Sequence, residues 1–257
     1  MPRFKDQAIC IRDLDWSESS QVVVLLTETR GKVRGLAKGS KRQSPSSIQR
    51  FSGGIELLTA GQVIATSRPS SELASITEWD LQQDHFALRR DLRAQRVAMY
   101  AADLCHAMLA DLDPHPESFR LLRDLLVALC GGDSMRAEAR TPGVEGALLR
   151  FQWGLLADCG YKPELTRDVR RDEELATVKT YTFDPVAGGL TSDKGIADWR
   201  VRSETVEALR AVAEEGELSG FEPATLERAN RLLCVYARTI LDKELPTMGV
   251  VLGGAAK

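Results

Sequence analysis

QVVVLLTETRGKVRGLAKG, residues 21–39, reads as two short strands joined by a tight turn. Its first half is a run of Val, Leu and Thr, side chains that suit a pleated, half-buried surface. Thr29-Arg30-Gly31 separates the halves, and Gly31 can supply the positive φ of a tight hairpin. Outward from this hairpin, AICIRDLDW (8–16), GIELLTAG (54–61) and QVIATSRP (62–69) are also short, apolar-rich and bounded by turn residues. Gly61 is expected to close a second hairpin between the last two. Five short strands in about eighty residues match a small closed barrel such as an OB-fold. An SH3-like barrel or a small sandwich fits the pattern too. SKRQSPSSIQR (40–50), dense in Ser, Lys, Arg and Pro and without periodicity, reads as a mobile loop after the third strand.

From Asp84 the apolar period lengthens from two to about 3.6. Val97, Ala101, Leu104, Cys105, Met108 and Leu112 share one helical face, which stops at the turn 113–116. Further helices are expected over 117–130, through Leu148, Phe151, Leu155 and Cys159 up to Gly160, and over 204–215. Leu226, Ala229, Leu233, Tyr236 and Ile240 mark the last, at steps of three and four. DSMRAEARTPG (133–143) reads as a polar linker and MGVVLGGAAK (248–257) as a short frayed tail. Within 161–200, TVKTYTFDP alternates like a strand and Gly188-Gly189 follows as a turn. The chain is therefore expected to be α+β: a barrel over 1–80, then a mainly helical domain over 81–257 with a small β lobe at 161–200.

The 257 residues are 43% apolar and 28% charged, which suits a folded chain and excludes wholesale disorder. The longest aliphatic run, Val22–Leu26, is far below the ~20 residues of a membrane-spanning helix. No signal-peptide pattern opens the sequence, so a cytoplasmic location is expected. Five widely spaced cysteines without a CxxC pair support neither a disulfide framework nor a zinc ribbon, and are expected to be core residues. Net charge is −3, but Thr29–Ile55 holds seven basic residues (Arg30, Lys32, Arg34, Lys38, Lys41, Arg42, Arg50) and no acidic one. The remainder thus carries −10. Such a segment focuses positive potential where a polyanion could bind, although a solvated strand-and-loop face carries the same signature.

Catalytic patterns are missing. Gly31, Gly35 and Gly39 do not have phosphate-loop spacing, and a Ser/Pro-rich loop follows them instead of a helix. The three histidines, His85, His106 and His115, form no metal or nucleophile motif. No enzyme activity and no cofactor are expected. Arg89, Arg93 and Arg96 lie at helical spacing but read as solvated charges offset by Asp84 and Asp91. Only Phe4, Trp16 and Phe51 are aromatic near the basic strand, which favours contacts with a nucleic-acid backbone over base stacking.

The run 21–51 resembles the amino-terminal signature of the RecO family of bacterial recombination mediators: a strand ending in Leu-Thr, a Gly, a basic strand, Ala-Lys-Gly, a basic pair and a serine-rich loop. LLADCGYKPEL (155–165) and FDPVAGGL (183–190) resemble the family's later segments, in the same order. The resemblance implies an OB-fold followed by a helical domain with a zinc-finger-like insertion. It also implies non-enzymatic binding of single- and double-stranded DNA and annealing of complementary strands. With RecR, and RecF in many bacteria, such a protein helps load RecA onto strands coated with single-strand-binding protein (SSB), close to the nucleoid. Arg30, Lys32, Arg34, Lys38, Lys41 and Arg42 would then be DNA-backbone ligands. The acidic helical domain would meet proteins, its apolar grooves accepting the SSB C-terminal tail. Many members place two CxxC pairs in the insertion; the corresponding positions here, approximately Asp168, Arg171, Ser192 and Gly195, make no zinc set. No zinc is expected, and a lobe held by its strand pair alone or partly disordered. A scaffold protein whose basic strand meets an acidic protein, or an RNA-binding barrel, remains the alternative to DNA binding.

Overall fold

The computed structural model describes residues 3–67, 71–131, 143–193 and 199–253. One unit comprises Met1–Leu92 with Ala101–Cys130, the other Arg93–Tyr100 with Gly131–Lys257.

In the first unit, β1 (Arg3–Ser17), β2 (Ser20–Thr27), β3 (Gly31–Ala37), β4 (Ala60–Thr66) and β5 (Ala74–Gln83) pair in the closed order β1-β2-β3-β5-β4. The long β1 closes the ring: Arg3–Ile9 pairs with β4, and Ala8–Ser17 pairs with β2 past two bulges. Extra residues at such bulges bend and twist a strand, as a small barrel requires. β3 meets β5 in parallel over Gly35–Ala37. Alternate side chains turn inward, so Cys10, Val23, Leu25, Val33, Val63, Ile76 and Trp79 build one buried core. The ring agrees with the small five-stranded barrel expected from the sequence.

Three local readings change. GIELLTAG is not a strand: Leu58 has φ +66, and the Thr59 amide donates to Glu56 O, so residues 55–59 turn. Gly61 instead lies inside β4, where a Cβ would come within 2.2 Å of Asp80 O on β5. The fifth strand is ASITEWDLQQ, which runs past residue 80 to Gln83. The 40–50 stretch holds a helix, α1 (Pro45–Phe51): Ser44 caps it by accepting from the Ser47 amide, and Pro45 opens its first turn. Phe51, at its end, is 1% exposed and belongs to the barrel core.

A 3-10 turn (Phe86–Arg90) leads into α2 (Leu92–Met108), whose residues 93–100 belong to the second unit, and then α3 (Pro116–Cys130) follows. α3 buries Phe119, Leu122, Leu125, Leu126 and Leu129, the single stripe its spacing predicts, and packs on β2. The expected Arg89/Arg93 face is divided. Arg89 lies in the 3-10 turn, paired with Glu56 at 2.9 Å, while Arg93 on α2 pairs with Glu145 at 2.6 Å.

The second unit holds α4 (Gly143–Asp158), α5 (Ser203–Ala213), α6 (Pro223–Leu241) and α7 (Gly249–Leu252), with α4 and α5 packed on α6. A polar chain crosses this apolar packing. Tyr100 Oη donates to Gln152 Oε1 (2.8 Å), Gln152 Nε2 to Asn230 Oδ1 (2.9 Å), and Asn230 Nδ2 to Glu145 Oε2 (3.0 Å). Each buried group has a partner, as a low-dielectric interior demands. The 248–257 tail begins with buried Met248 and the short α7, on which Val251 is buried. Residues 133–142 of the expected linker lie outside the described residues, and Gly143 opens α4.

The lobe is a three-stranded sheet, β7-β6-β8, made of β6 (Thr180–Asp184), β7 (Gly189–Thr191) and β8 (Trp199–Arg202). Phe183 stacks on Trp199 (5.8 Å between centroids) and meets Tyr236 edge-on (5.4 Å). All five cysteines are free, with Cys10, Cys105 and Cys234 buried.

Candidate nucleic-acid interface

β3 positions the basic residues. Its period of two sends Val33 and Ala37 into the core and Lys32, Arg34 and Leu36 to the outer surface, with Lys38 next in the same register. Arg34 and Lys38 are exposed, and Arg30 is exposed at the hairpin tip with its guanidinium 4.7 Å from the Phe4 ring centroid. Arg30, Arg34 and Lys38 thus form a ridge roughly 25 Å long, taking ~3.3 Å per residue.

Two features flank the ridge. Beside its first half lies a groove of about 770 Å³ lined by Phe4, Arg30, Arg34, Glu72 and Leu112, among others. Beyond its second half, residues 38–42 make a turn bearing Lys38, Lys41 and Arg42. Hydrogen bonds pin this turn: Gly39 N donates to Ser20 Oγ (3.1 Å), Lys41 N to Ser19 O (3.2 Å), and Ser47 Oγ to Gly39 O (2.6 Å). Ser40, fully buried, donates to Gln21 Oε1 at 2.9 Å. The basic turn expected to be mobile is anchored at both edges, because Ser20 and Ser47 bond its backbone and Ser40 bonds Gln21 instead of facing water.

Lys32 departs from the expected set of phosphate ligands. It is 6% exposed, and its Nζ donates to His106 O and Leu109 O, each at 2.7 Å, and lies 3.2 Å from Asp111 Oδ1. Leu112 N also donates to Lys32 O, so the 109–112 segment covers this outward position of β3. Its charge is committed inside the protein. Gly31 allows the approach, since a Cβ there would fall 1.9 Å from Asp113 O.

His85 and His115 have local structural partners, whereas the buried Nδ1 of His106 has no hydrogen-bond partner among the described residues. His85 Nδ1 donates to Leu58 O at 2.7 Å, and burial lowers its pKa. Burial, then the Lys32 and Arg12 charges, lower the His106 pKa to about 4, so its ring is neutral at pH 7. His115 Nε2 lies 3.4 Å from Asp113 Oδ2.

In the lobe, Asp168 and Ser192, two of the positions that the resemblance set against a zinc site, are joined to each other. Asp168, 2% exposed, accepts from Ser192 N (2.7 Å), Ser192 Oγ (2.5 Å), Arg170 N (2.9 Å) and Arg171 N (3.2 Å). Arg171 pairs with Asp193, while Gly195 lies outside the described residues. No group of three His, Cys, Asp or Glu side chains that could hold a metal occurs among the described residues. Burial raises the Asp168 pKa, but the Ser192 hydroxyl and the Ser192 and Arg170 amides outweigh it and hold the carboxyl well below the usual carboxylate range. A depressed folded-state pKa stabilises above the unfolded value near 4 and ceases to as pH falls through the folded one. Exchange protection of the Ser192 amide is therefore expected to fall below about pH 4 in the wild type. Asp168→Asn is expected to reduce it by about 2 kcal/mol at pH 7 and to flatten the acid response, measured by hydrogen exchange from pH 3 to 7.

Sequence reasoning missed a second basic cluster. Arg200 and Arg202 alternate on β8, Arg228 and Arg231 lie three apart on α6, and together they rim a 340 Å³ pocket floored by Trp199 and Leu232. Thr205 Oγ1 and Arg228 Nε, both buried at this pocket, have no hydrogen-bond partner among the described residues. The spacings were visible, but segments 26 residues apart met only in the fold.

Residues 1–84 match the family model described as Recombination protein O N terminal, and residues 89–248 match Recombination protein O C terminal. The chain is 32% identical over 188 residues to a DNA repair protein RecO of Anaeromyxobacter sp. (strain Fw109-5), covering 73% of this chain and 68% of that one. It is 34% identical over 165 residues to that of Anaeromyxobacter sp. (strain K), covering 64% of this chain and 60% of the relative. Against that of Myxococcus xanthus (strain DK1622), identity is 29% over 253 residues, 96% of each chain. A barrel with a basic outer strand, a helical unit with a β lobe and matches over nearly the whole length agree: the chain belongs to the RecO family of recombination and DNA repair proteins.

Proposed function

We propose that this chain binds single- and double-stranded DNA without sequence preference and anneals complementary strands, with no covalent chemistry of its own. The observation that carries this reading is the row Arg30, Arg34, Lys38, Lys41 and Arg42 along one strand and its following turn, in a chain of net charge −3. Cations on a rigid strand neutralise phosphates without reading bases. Two DNA strands repel each other, and neutralising phosphates lowers that barrier. Strand annealing with fluorescent complementary oligonucleotides tests the proposal: acceleration supports it, and no binding at low ionic strength refutes it.

The partners are RecR, RecF, RecA and SSB, in the assembly that loads RecA onto SSB-coated strands in the cytoplasm, near the nucleoid. No described helix is long and apolar enough to cross a membrane. The four-arginine pocket with its apolar floor fits an acidic tail ending in an aromatic residue, as proposed for SSB. A labelled peptide of that tail is expected to bind at least tenfold more weakly to Arg200→Glu/Arg231→Glu, measured by anisotropy, with oligonucleotide affinity retained. Equal peptide affinity would place the tail elsewhere.

A further inference from the structure

We infer that Trp16 is a stacking platform for an unpaired base, so that this end of the barrel prefers single strands. The inference rests on the DNA reading of β3 and adds the part of the ligand that phosphate contacts ignore.

Trp16 is the most exposed aromatic residue near the basic strand, at 66%, whereas Phe4 and Phe51 are 7% and 1% exposed and lie in the barrel core. It stands at the irregular end of β1, where the register slips between Asp15 and Ser17. Leu14, two residues earlier, is 53% exposed. Leu14 lies opposite Val22, which is buried, so the exposed apolar surface at this end of the barrel is Leu14 with Trp16. Half-buried Leu36 on β3 lies between exposed Arg34 and Lys38, the latter just past the end of the strand. The turn carrying Lys38, Lys41 and Arg42 is bonded to the tip of the same β1–β2 hairpin through Ser19 and Ser20.

An exposed indole on a hairpin whose tip is bonded to a cation-bearing turn suits a ligand with flat apolar faces strung on a polyanion, which is a single-stranded nucleic acid. In a duplex those faces are stacked inside. Exposed aromatics contribute base-stacking affinity without sequence preference. The first hairpin and the β2–β3 surface are also the parts of an OB-type barrel that generally receive oligonucleotides.

The test measures anisotropy with three probes at one salt concentration: a thymidine oligonucleotide, an abasic oligonucleotide of equal length and a blunt duplex. Trp16→Ala is expected to lose about tenfold in affinity for the thymidine strand and nothing for the other two, with Trp16→Phe restoring most of the loss. Because Trp16 is exposed, the variants are expected to keep the wild-type urea midpoint. No loss on the thymidine strand, or an equal loss on the abasic strand, overturns the stacking role while leaving the phosphate contacts in place. A dimer that Trp16→Ala dissociates, with thymidine affinity unchanged, overturns it in favour of a second copy as occupant. Wild-type protein that binds neither single strand at low salt overturns the underlying DNA reading and this inference with it.

Discussion

Lys32→Met is expected to lower the stability of the barrel unit by about 3 kcal/mol in urea unfolding and to leave DNA binding by the folded protein unchanged. The Lys32 ammonium has three partners: the His106 and Leu109 carbonyls, both at 2.7 Å, and the Asp111 carboxylate at 3.2 Å. Methionine retains most of the apolar stem and removes the donors. The Leu109 carbonyl, a buried acceptor, then loses its charged partner, and such losses cost far more than an exposed ion pair contributes. A spectroscopic readout accompanies the change. The Lys32 charge helps lower the His106 pKa, second only to burial, so the pKa is expected to rise from about 4 toward its ordinary value, as followed by NMR. Arg34→Met, at an exposed position two residues along, is expected to cost within about 0.5 kcal/mol in stability. Unchanged stability in Lys32→Met, together with a salt slope reduced by about 0.7, would make Lys32 a phosphate ligand after all.

Where local chemistry decides structure, the sequence could be read. Gly31 has the positive φ its place in the hairpin demanded (+71°), and α3 and α6 bury the stripes marked by steps of three and four. β5 escaped notice because a bulge breaks its alternation. Ile76 lies opposite Ala65, yet Glu78 lies opposite the adjacent Ile64, so Thr77 is extra and the inward side chain after Ile76 is Trp79. Ser44-Pro45 was a legible helix start obscured by its polar neighbours. Lys32 shows a different limit. Its alternation places it outward, and only a segment about eighty residues later determines that outward means covered. The arginine pocket illustrates the same point, since β8 and α6 each present an unremarkable pair of charges alone.

The proposed DNA site is the outer surface of β3 and the turn after it. Lys38→Glu/Lys41→Glu/Arg42→Glu tests it most directly. Lys38 and Arg42 are exposed and Lys41 is half-buried, so the variant is expected to keep its circular dichroism spectrum. Counterion release predicts a slope of log K against log salt near −3.5 for the wild type on single strands, at ~0.7 for each of five contacts. It predicts about −1.4 for the variant, and about a hundredfold weaker binding at roughly 0.1 M salt. Annealing of complementary oligonucleotides by the folded variant should then fall to the protein-free rate. A folded variant that anneals as fast as the wild type, with the same salt slope, would contradict the account and move the DNA site off this turn.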